Sequence, residues 1–371
     1  MSKKLTTVAG STVLVGALAA TVVVMATDPG EKKSAGTVGS AAATAWPLVQ
    51  GSTYQGLSSL SSIAAAPDGT VWAGGSQTTS HKTLLKKLSG GKWSDVALPA
   101  SLGYANVNSL SAPAANNLWW AGQLNVSGDR QPLGHWNGSK WGKYTVPLSF
   151  FPDSMVAADA KTAFTAGFSP VGKRWNGTSW SDTNIGINTR VFDASSATNV
   201  WAAGFSADEA QPAVARWNGK AWTRVPFPKI DGIVRGEIAP AFSDLKVISA
   251  NDVWAVGSVR VKNTAGKQVS RSLFAHWNGT KWTHTVGADG TYLMQVESDG
   301  AGGIWVQSDS ATMKHRTAAG VWSTETLAAP AGKRARATGM VLQPGTKTIW
   351  VAGTTENADR TFDMAIWRSN S

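Results

Sequence analysis

Two tryptophan landmarks alternate along this chain and constrain its fold more than any other feature. The first is an apolar-Trp-small-small-Gly strand, found at Val71-Trp72, Leu118-Trp119, Val200-Trp201, Val253-Trp254, Ile304-Trp305 and Ile349-Trp350, with Ala163-Phe164 standing in once. These copies lie about 46 residues apart, a spacing typical of β-propeller blades. The second landmark is a Trp-Asn-Gly-x-x-Trp hairpin, at Trp136 to Trp141, Trp175 to Trp180, Trp217 to Trp222 and Trp277 to Trp282. Degenerate forms run from Leu88 to Trp93 and from Arg316 to Trp322. Glycine at the first turn position suits a type II′ hairpin, which sets the two tryptophans opposite each other across the strands.

Each unit then reads as an inner strand, a Trp-Ala-Gly strand, a third strand ending at the hairpin and an outer strand starting at its last Trp. The fold class that follows is all-β, a seven-bladed β-propeller of four-stranded blades. The sequence ends at Trp367-Arg-Ser-Asn-Ser371, half a hairpin, whereas Trp46-Pro47-Leu48-Val49 matches the outer-strand starts at Trp93, Trp141 and Trp222. The expectation is therefore a ring closed by the N-terminal strand, which completes the last blade with Trp46 packed against Trp367 and leaves no open edge.

Composition narrows the function classes. Lys and Arg number 34 against 23 Asp and Glu, a net charge of +11, yet only 15% of the 371 residues are charged and 42% are hydrophobic, so the chain is not a disordered polyelectrolyte. No cysteine is present, which excludes disulfides, thiolate zinc sites and cysteine nucleophiles. Lys3 and Lys4 precede an apolar stretch from about Val13 to Met25 that ends in small residues, so residues 1–26 read as a signal peptide. The competing reading is an uncleaved membrane anchor, since Leu5 to Met25 is mostly apolar and about as long as a bilayer core. Residues 27–45 form a small, polar, flexible linker and 46–371 the propeller. The expected location is extracellular, secreted or attached to the cell surface.

Blades such as Asn251-Asp-Val-Trp-Ala-Val-Gly257 and His276-Trp-Asn-Gly-Thr-Lys-Trp282 resemble those of secreted bacterial tryptophan-repeat propeller proteins over about 46–371. The resemblance implies a seven-bladed fold and little about activity, because this superfold hosts enzymes, lectins and protein scaffolds alike. The hairpin is similar to the sialidase Asp-box in its Gly and final Trp, but Trp136, Trp175, Trp217 and Trp277 hold the Asp position. The Gly-His and Trp-Asp pair of WD repeats is missing, and the kelch double glycine occurs only at Gly74-Gly75.

Among possible chemical groups, His135, His276 and His315 share a repeat position with Arg174, Arg216 and Lys87. They read as side chains lying on aromatic surface rather than as a ligand set. No phosphate loop, dinucleotide fingerprint or nucleophile elbow occurs, and no cofactor or metal is implied. Candidate acid and base pairs are Glu237 with Asp244, or Asp208 with Glu209. Length excess falls in Pro226 to Ala241 and Ser258 to Arg271, and loops on a rigid scaffold commonly carry function. The candidate binding residues are therefore Phe227, Lys229, Asp231, Arg235, Glu237, Arg260, Lys262, Lys267 and Arg271, with the cluster Lys333, Arg334 and Arg336. Trp120 breaks the alternation and is a candidate sugar-stacking ring. The function read here is a non-catalytic, monomeric binding module for a glycan, an anionic cell-wall polymer or a protein, with no nucleic acid and no membrane contact beyond the N-terminal segment. The alternatives are a polysaccharide-acting glycosidase or lyase with its site at the central channel, and a structural scaffold for a partner protein.

Overall fold

The computed structural model describes residues 45–52, 54, 56–123, 130–147, 154–206, 211–234 and 242–370. The expected export segment and residues 27–44 of the linker lie outside them. The described chain forms seven antiparallel sheets of four strands each, spanning 58–95, 106–147, 154–184, 188–225, 242–289, 295–327 and 334–368, the last completed by Leu48–Gln50. The inner strands neighbour one another in sequence order, and the seventh, Arg334–Leu342, lies against the first, Ser58–Ala65, so the ring closes.

Closure differs from expectation in register. Leu48, not Trp46, pairs with Trp367. Ala45–Trp46 instead adds a short parallel fifth strand to the outer edge of blade six, opposite Thr326 and Leu327. Pro47, which has no N–H to donate, separates the two pairings and lets the chain cross from one blade to the next. Trp46 is fully buried, its ring 4.8 Å edge-on to Trp305 and its indole N–H donated to Glu325. The peptide Ala328 bridges both tryptophans, its N–H donating to Trp46 O at 2.9 Å and its carbonyl accepting from Trp367 Nε1 at 2.7 Å. The two rings thus share one buried cluster without facing each other across a strand pair.

The hairpins follow their sequence signature. Trp277 pairs with Trp282, their ring centroids 6.1 Å apart. Gly279 takes φ +94° in the turn, a conformation glycine adopts without a Cβ penalty. Asn278 Oδ1 then accepts the N–H groups of Thr280 and Lys281, each at 3.0 Å. Tryptophans of the first landmark fill the gaps between blades: Trp119 meets Trp175 and Trp180, and Trp201 meets Trp277 and Trp282.

The shared His, Arg and Lys position lies on these rings. His135 stacks on Trp119 at 3.8 Å, His276 on Trp254 at 3.9 Å, His315 on Trp305 at 4.4 Å, and Lys87 lies 4.8 Å from the Trp72 centroid. Burial lowers the His135 pKa to about 4, so that ring is neutral near pH 7 rather than cationic. Its Nε2 lies 2.9 Å from Asn117 Oδ1.

Candidate functional site

The site is built by irregularities in the inner strands. In five blades the pairing of strand one with strand two slips by one residue near the start of strand one, leaving Ser61, Asn108, Arg190, Ser243 and Thr338 as the extra residues. The residue facing each slip is the glycine three after the landmark tryptophan: Gly75, Gly122, Gly204, Gly257 and Gly353. A Cβ there would meet a carbonyl of the bulged strand, at 2.0 Å from Ser59 O for Gly75, 1.9 Å from Asn188 O for Gly204 and 2.0 Å from Arg336 O for Gly353. Blade six has Ser308 and blade three Gly167 at that position, and in both the pairing of the first two strands ends one residue earlier, without a slip. The glycine of the repeat therefore makes room for a bulge, and a bulge re-aims the side chain it adds.

Four of those side chains form a collar at one mouth of the central channel, and Arg190 does not line it. Ser61, Asn108, Ser243 and Thr338 line a cavity of about 470 Å³ together with Asp244, Gln295, Gln307 and Arg336, and with Ile63, Met294 and Met340 as its apolar surface. The collar lies at the start of the inner strands, the end from which the connections between blades and the strand-two-to-three turns emerge.

Below the collar the inner strands are tied across blade boundaries by side chains that accept backbone N–H groups. Ser62 accepts from Leu110 at 2.9 Å, Ser109 from Met155 at 3.0 Å, Ser111 from Ala157 at 2.8 Å and Ser154 from Phe192 at 3.1 Å. From blade four onward carboxylates take this role: Asp193 accepts from Val247 at 2.7 Å and Asp244 from Val296 at 2.9 Å. Lys246 pairs with Glu297 at 2.8 Å between blades five and six.

Burial raises the pKa of Asp193, Asp244 and Glu297, that of Asp244 to about 7, with repulsion from Asp193 and Glu297 adding to the rise at Asp244. Burial alone would lower the Lys246 pKa, but the surrounding carboxylates, Glu297 foremost, hold it above its ordinary value. Three acidic groups and one lysine thus converge on the channel, but each carboxylate is already bonded to backbone N–H groups or to Lys246.

The sequence candidates fall into four groups. Ser258 to Arg271 is not a loop: strands Asp252–Lys262 and Gln268–Trp277 extend through it, with only a short turn between. Val259 and Val261 point inward, and Arg260 and Lys262 alternate with them, the period of a strand. The other long segment packs against this extension through an Ile233–Val261 bridge and a 2.9 Å bond from Val234 N to Arg260 O.

Phe227 is half-buried against Phe242, Trp282 and His284, so it belongs to the packing of blade five. Trp120 is 1% exposed, inside the cluster with Trp72, Leu85 and Leu102, and presents no ring to a sugar. Both sides of a blade's second strand meet neighbouring blades, so breaking the alternation does not bring a residue to the surface.

Arg271 is neutralised by Asp289 and Lys333 by Asp363, each at 2.7 Å. Lys229, Asp231, Lys262, Lys267, Arg334 and Arg336 are exposed, and the cations among them hold no ion pair among the described residues. Arg334 and Arg336 sit on the inner strand of blade seven rather than in a connection, and among the described candidates Arg336 and the acid–base candidate Asp244 line the channel mouth. Arg235, Glu237, Asp208 and Glu209 lie outside the described residues.

No protein-family model matches this sequence, and no curated protein does. Solved structures do share its fold. A structure described as YCF48 bound to D1 peptide matches with a TM-score of 0.56 at 11% identity, covering 88% of this chain and 100% of that one. The WD40 β-propeller domain of Doa1 matches at 0.55 with 13% identity over 87% of this chain and 97% of that one. The C-terminal WD40 domain of Sif2 matches at 0.53 with 10% identity over 89% and 100%. At these identities the likeness establishes the propeller architecture and nothing further.

Proposed function

We propose that this chain is a non-catalytic interaction module, exported by its N-terminal segment, that receives a peptide segment of a partner protein at the collared mouth of its channel. The observation that carries this reading is the collar. Bulges in four blades turn hydroxyl and amide groups toward one cavity, whose wall also holds Arg336, Ile63, Met294 and Met340. Alternating polar and apolar contacts suit a polypeptide, which offers backbone N–H and C=O groups along with side chains.

Two observations weigh against the rival readings. Among the described residues the cavity wall contains no aromatic ring, and Trp120 is buried, which disfavours a glycan. The channel carboxylates are engaged in bonds that join the blades, which disfavours glycoside hydrolysis, where one carboxyl must be free to move a proton. That one propeller of similar fold is described as bound to a peptide agrees with this choice. Membership of the secreted bacterial tryptophan-repeat proteins remains part of the proposal. A second reading, an anionic wall polymer, is favoured by the unpaired cations Lys229, Lys262, Lys267 and Arg334.

The test is to screen the full chain against a random-peptide array and a glycan array in parallel. Peptides should be retained, and Arg336→Glu should weaken them more than tenfold with an unchanged melting temperature. Retention by glycans alone would refute the peptide reading.

A further inference from the structure

Blade six ends the pairing of its first two strands on Gln295 opposite Gln307, and both residues line the channel-mouth cavity. Residues opposite each other in an antiparallel pair project from the same face, so the two amides are neighbours. Gln307 is fully buried, and it breaks the repeat. Two residues after the landmark ring the other blades carry Gly74, Ala121, Ala166, Ala203, Val256 and Ala352, all small or apolar. Blade six alone puts an amide there.

The Gln307 amide is oriented by its partners. Its Nε2 donates to Asp309 O at 2.9 Å and to Ala337 O at 3.4 Å, so turning the amide over would set its oxygen against two carbonyls. The Oε1 atoms of Gln307 and Gln295 are both buried, and neither accepts a hydrogen bond from a described residue. A buried acceptor without a donor costs stability, and a small residue at position 307, as in the other blades, would avoid that cost. Two such oxygens side by side on one cavity wall therefore point to a ligand that supplies the missing donors.

We propose that the channel mouth binds a primary carboxamide of the incoming peptide, with Gln295 and Gln307 accepting its two N–H groups and Arg336 donating to its oxygen. A carboxamide carries two N–H donors and one carbonyl oxygen. The cavity offers the complement, two unmatched oxygens and a guanidinium that holds no ion pair among the described residues. Ala337, next to Arg336, already bonds to Gln307, so these groups meet at the boundary of blades six and seven. Ile63, Met294 and Met340 give the stem of the carboxamide an apolar wall. A carboxylate has no N–H for the glutamine oxygens, and an ammonium meets the like charge of Arg336. The carboxamide can belong to an asparagine or glutamine side chain or to an amidated C-terminus. This assignment rests on the reading of the collar as a peptide site.

The probes are immobilised libraries of short peptides with glutamine, asparagine, glutamate, lysine, methionine or alanine fixed at the centre. Asparagine and glutamine are left out of the random flanks, and each C-terminus is closed as an N-methylamide. Binding of the full chain is read by biolayer interferometry. The glutamine or asparagine library should retain it about tenfold better than the other four. An alanine library closed as a primary amide separates the sources. Retention equal to that of the better carboxamide library assigns the group to a C-terminus, and retention equal to that of the N-methylamide assigns it to a side chain. Gln295→Met should erase the preference while the melting temperature stays level or rises, because an unmatched buried acceptor is removed. Gln307→Leu should erase it at a lower melting temperature, since its amide also ties Asp309 and Ala337. If Gln295→Met leaves the preference intact, the assignment falls. If the central residue makes no difference, or the lysine or glutamate library is preferred, the peptide site stands and the carboxamide assignment falls. If no library is retained, both fall together.

Discussion

Asp244 allows the electrostatics of the channel to be tested directly. Its two carboxylate oxygens accept the N–H groups of Leu245 and Val296, each at 2.9 Å. Burial raises its pKa from 3.8 to about 7 even though those bonds pull the other way. Between these values the folded chain holds a proton that the unfolded chain has released, so stability falls as pH rises through the window. A shift of that size sets a ceiling of about 4 kcal/mol, approached with a slope of at most about 1.4 kcal/mol per pH unit.

Asp244→Asn abolishes the titration but places an amide NH₂ against a backbone N–H, a pH-independent loss of about 1–3 kcal/mol. His135 works in the opposite sense between pH 4 and 6.5, because its folded pKa lies below its unfolded one, and it cancels when the two proteins are compared. Urea unfolding followed by tryptophan fluorescence at pH 5, 6, 7 and 8 supplies the comparison. The stability of the variant relative to wild type should rise by about 2–3 kcal/mol across that range. Parallel curves would refute the claim that ionised Asp244 is held in the folded channel at a cost.

Removing residues 45–50 takes away both the outer strand of blade seven and the buried Trp46, and Trp46→Ala alone should cost about 3–5 kcal/mol by the usual scale for large buried aromatics. An unchanged urea midpoint in the deletion would disprove the closure described here. Gly204→Ala would set a Cβ 1.9 Å from Asn188 O and should destabilise by more than about 3 kcal/mol or prevent folding, because backbone rather than a side-chain tip must yield. Ser308→Gly in unbulged blade six should cost no more than about 1 kcal/mol. Equal thermal shifts in these two variants would break the link between the repeat glycine and the bulge.

The ring was legible in the sequence because tryptophan and glycine recur at positions where packing tolerates few replacements. Blade count, hairpins and the closing strand all follow from those positions. The register of Trp46 did not follow, since its resemblance to Trp93 and Trp141 is real and only Pro47 moves it onto blade six. Extra length in Ser258 to Arg271 suggested a loop, but Val259 and Val261 alternate with Arg260 and Lys262, and that period was the stronger signal. The collar was hidden for a different reason. Ser61, Asn108, Arg190, Ser243 and Thr338 share a backbone position but vary between hydroxyl, amide and guanidinium, so a search for one repeated residue type passes over them. Their trace lies on the facing strand, in a glycine inside a strand pattern, the usual sign of a bulge.

Bulge and clasp do separate tasks in the same inner strands. Serine clasps supplied by blades one to three join the first four blades, so carboxylates are not required for closure as such. Asp193 and Asp244 take over the clasp from blade four onward, and Lys246 with Glu297 joins blades five and six. Asp244 also lines the cavity that Arg336 reaches, so the mouth sets a guanidinium beside a carboxyl already held by two backbone N–H groups. A peptide carboxylate entering there meets one favourable partner, Arg336, and one group that repels it once ionised.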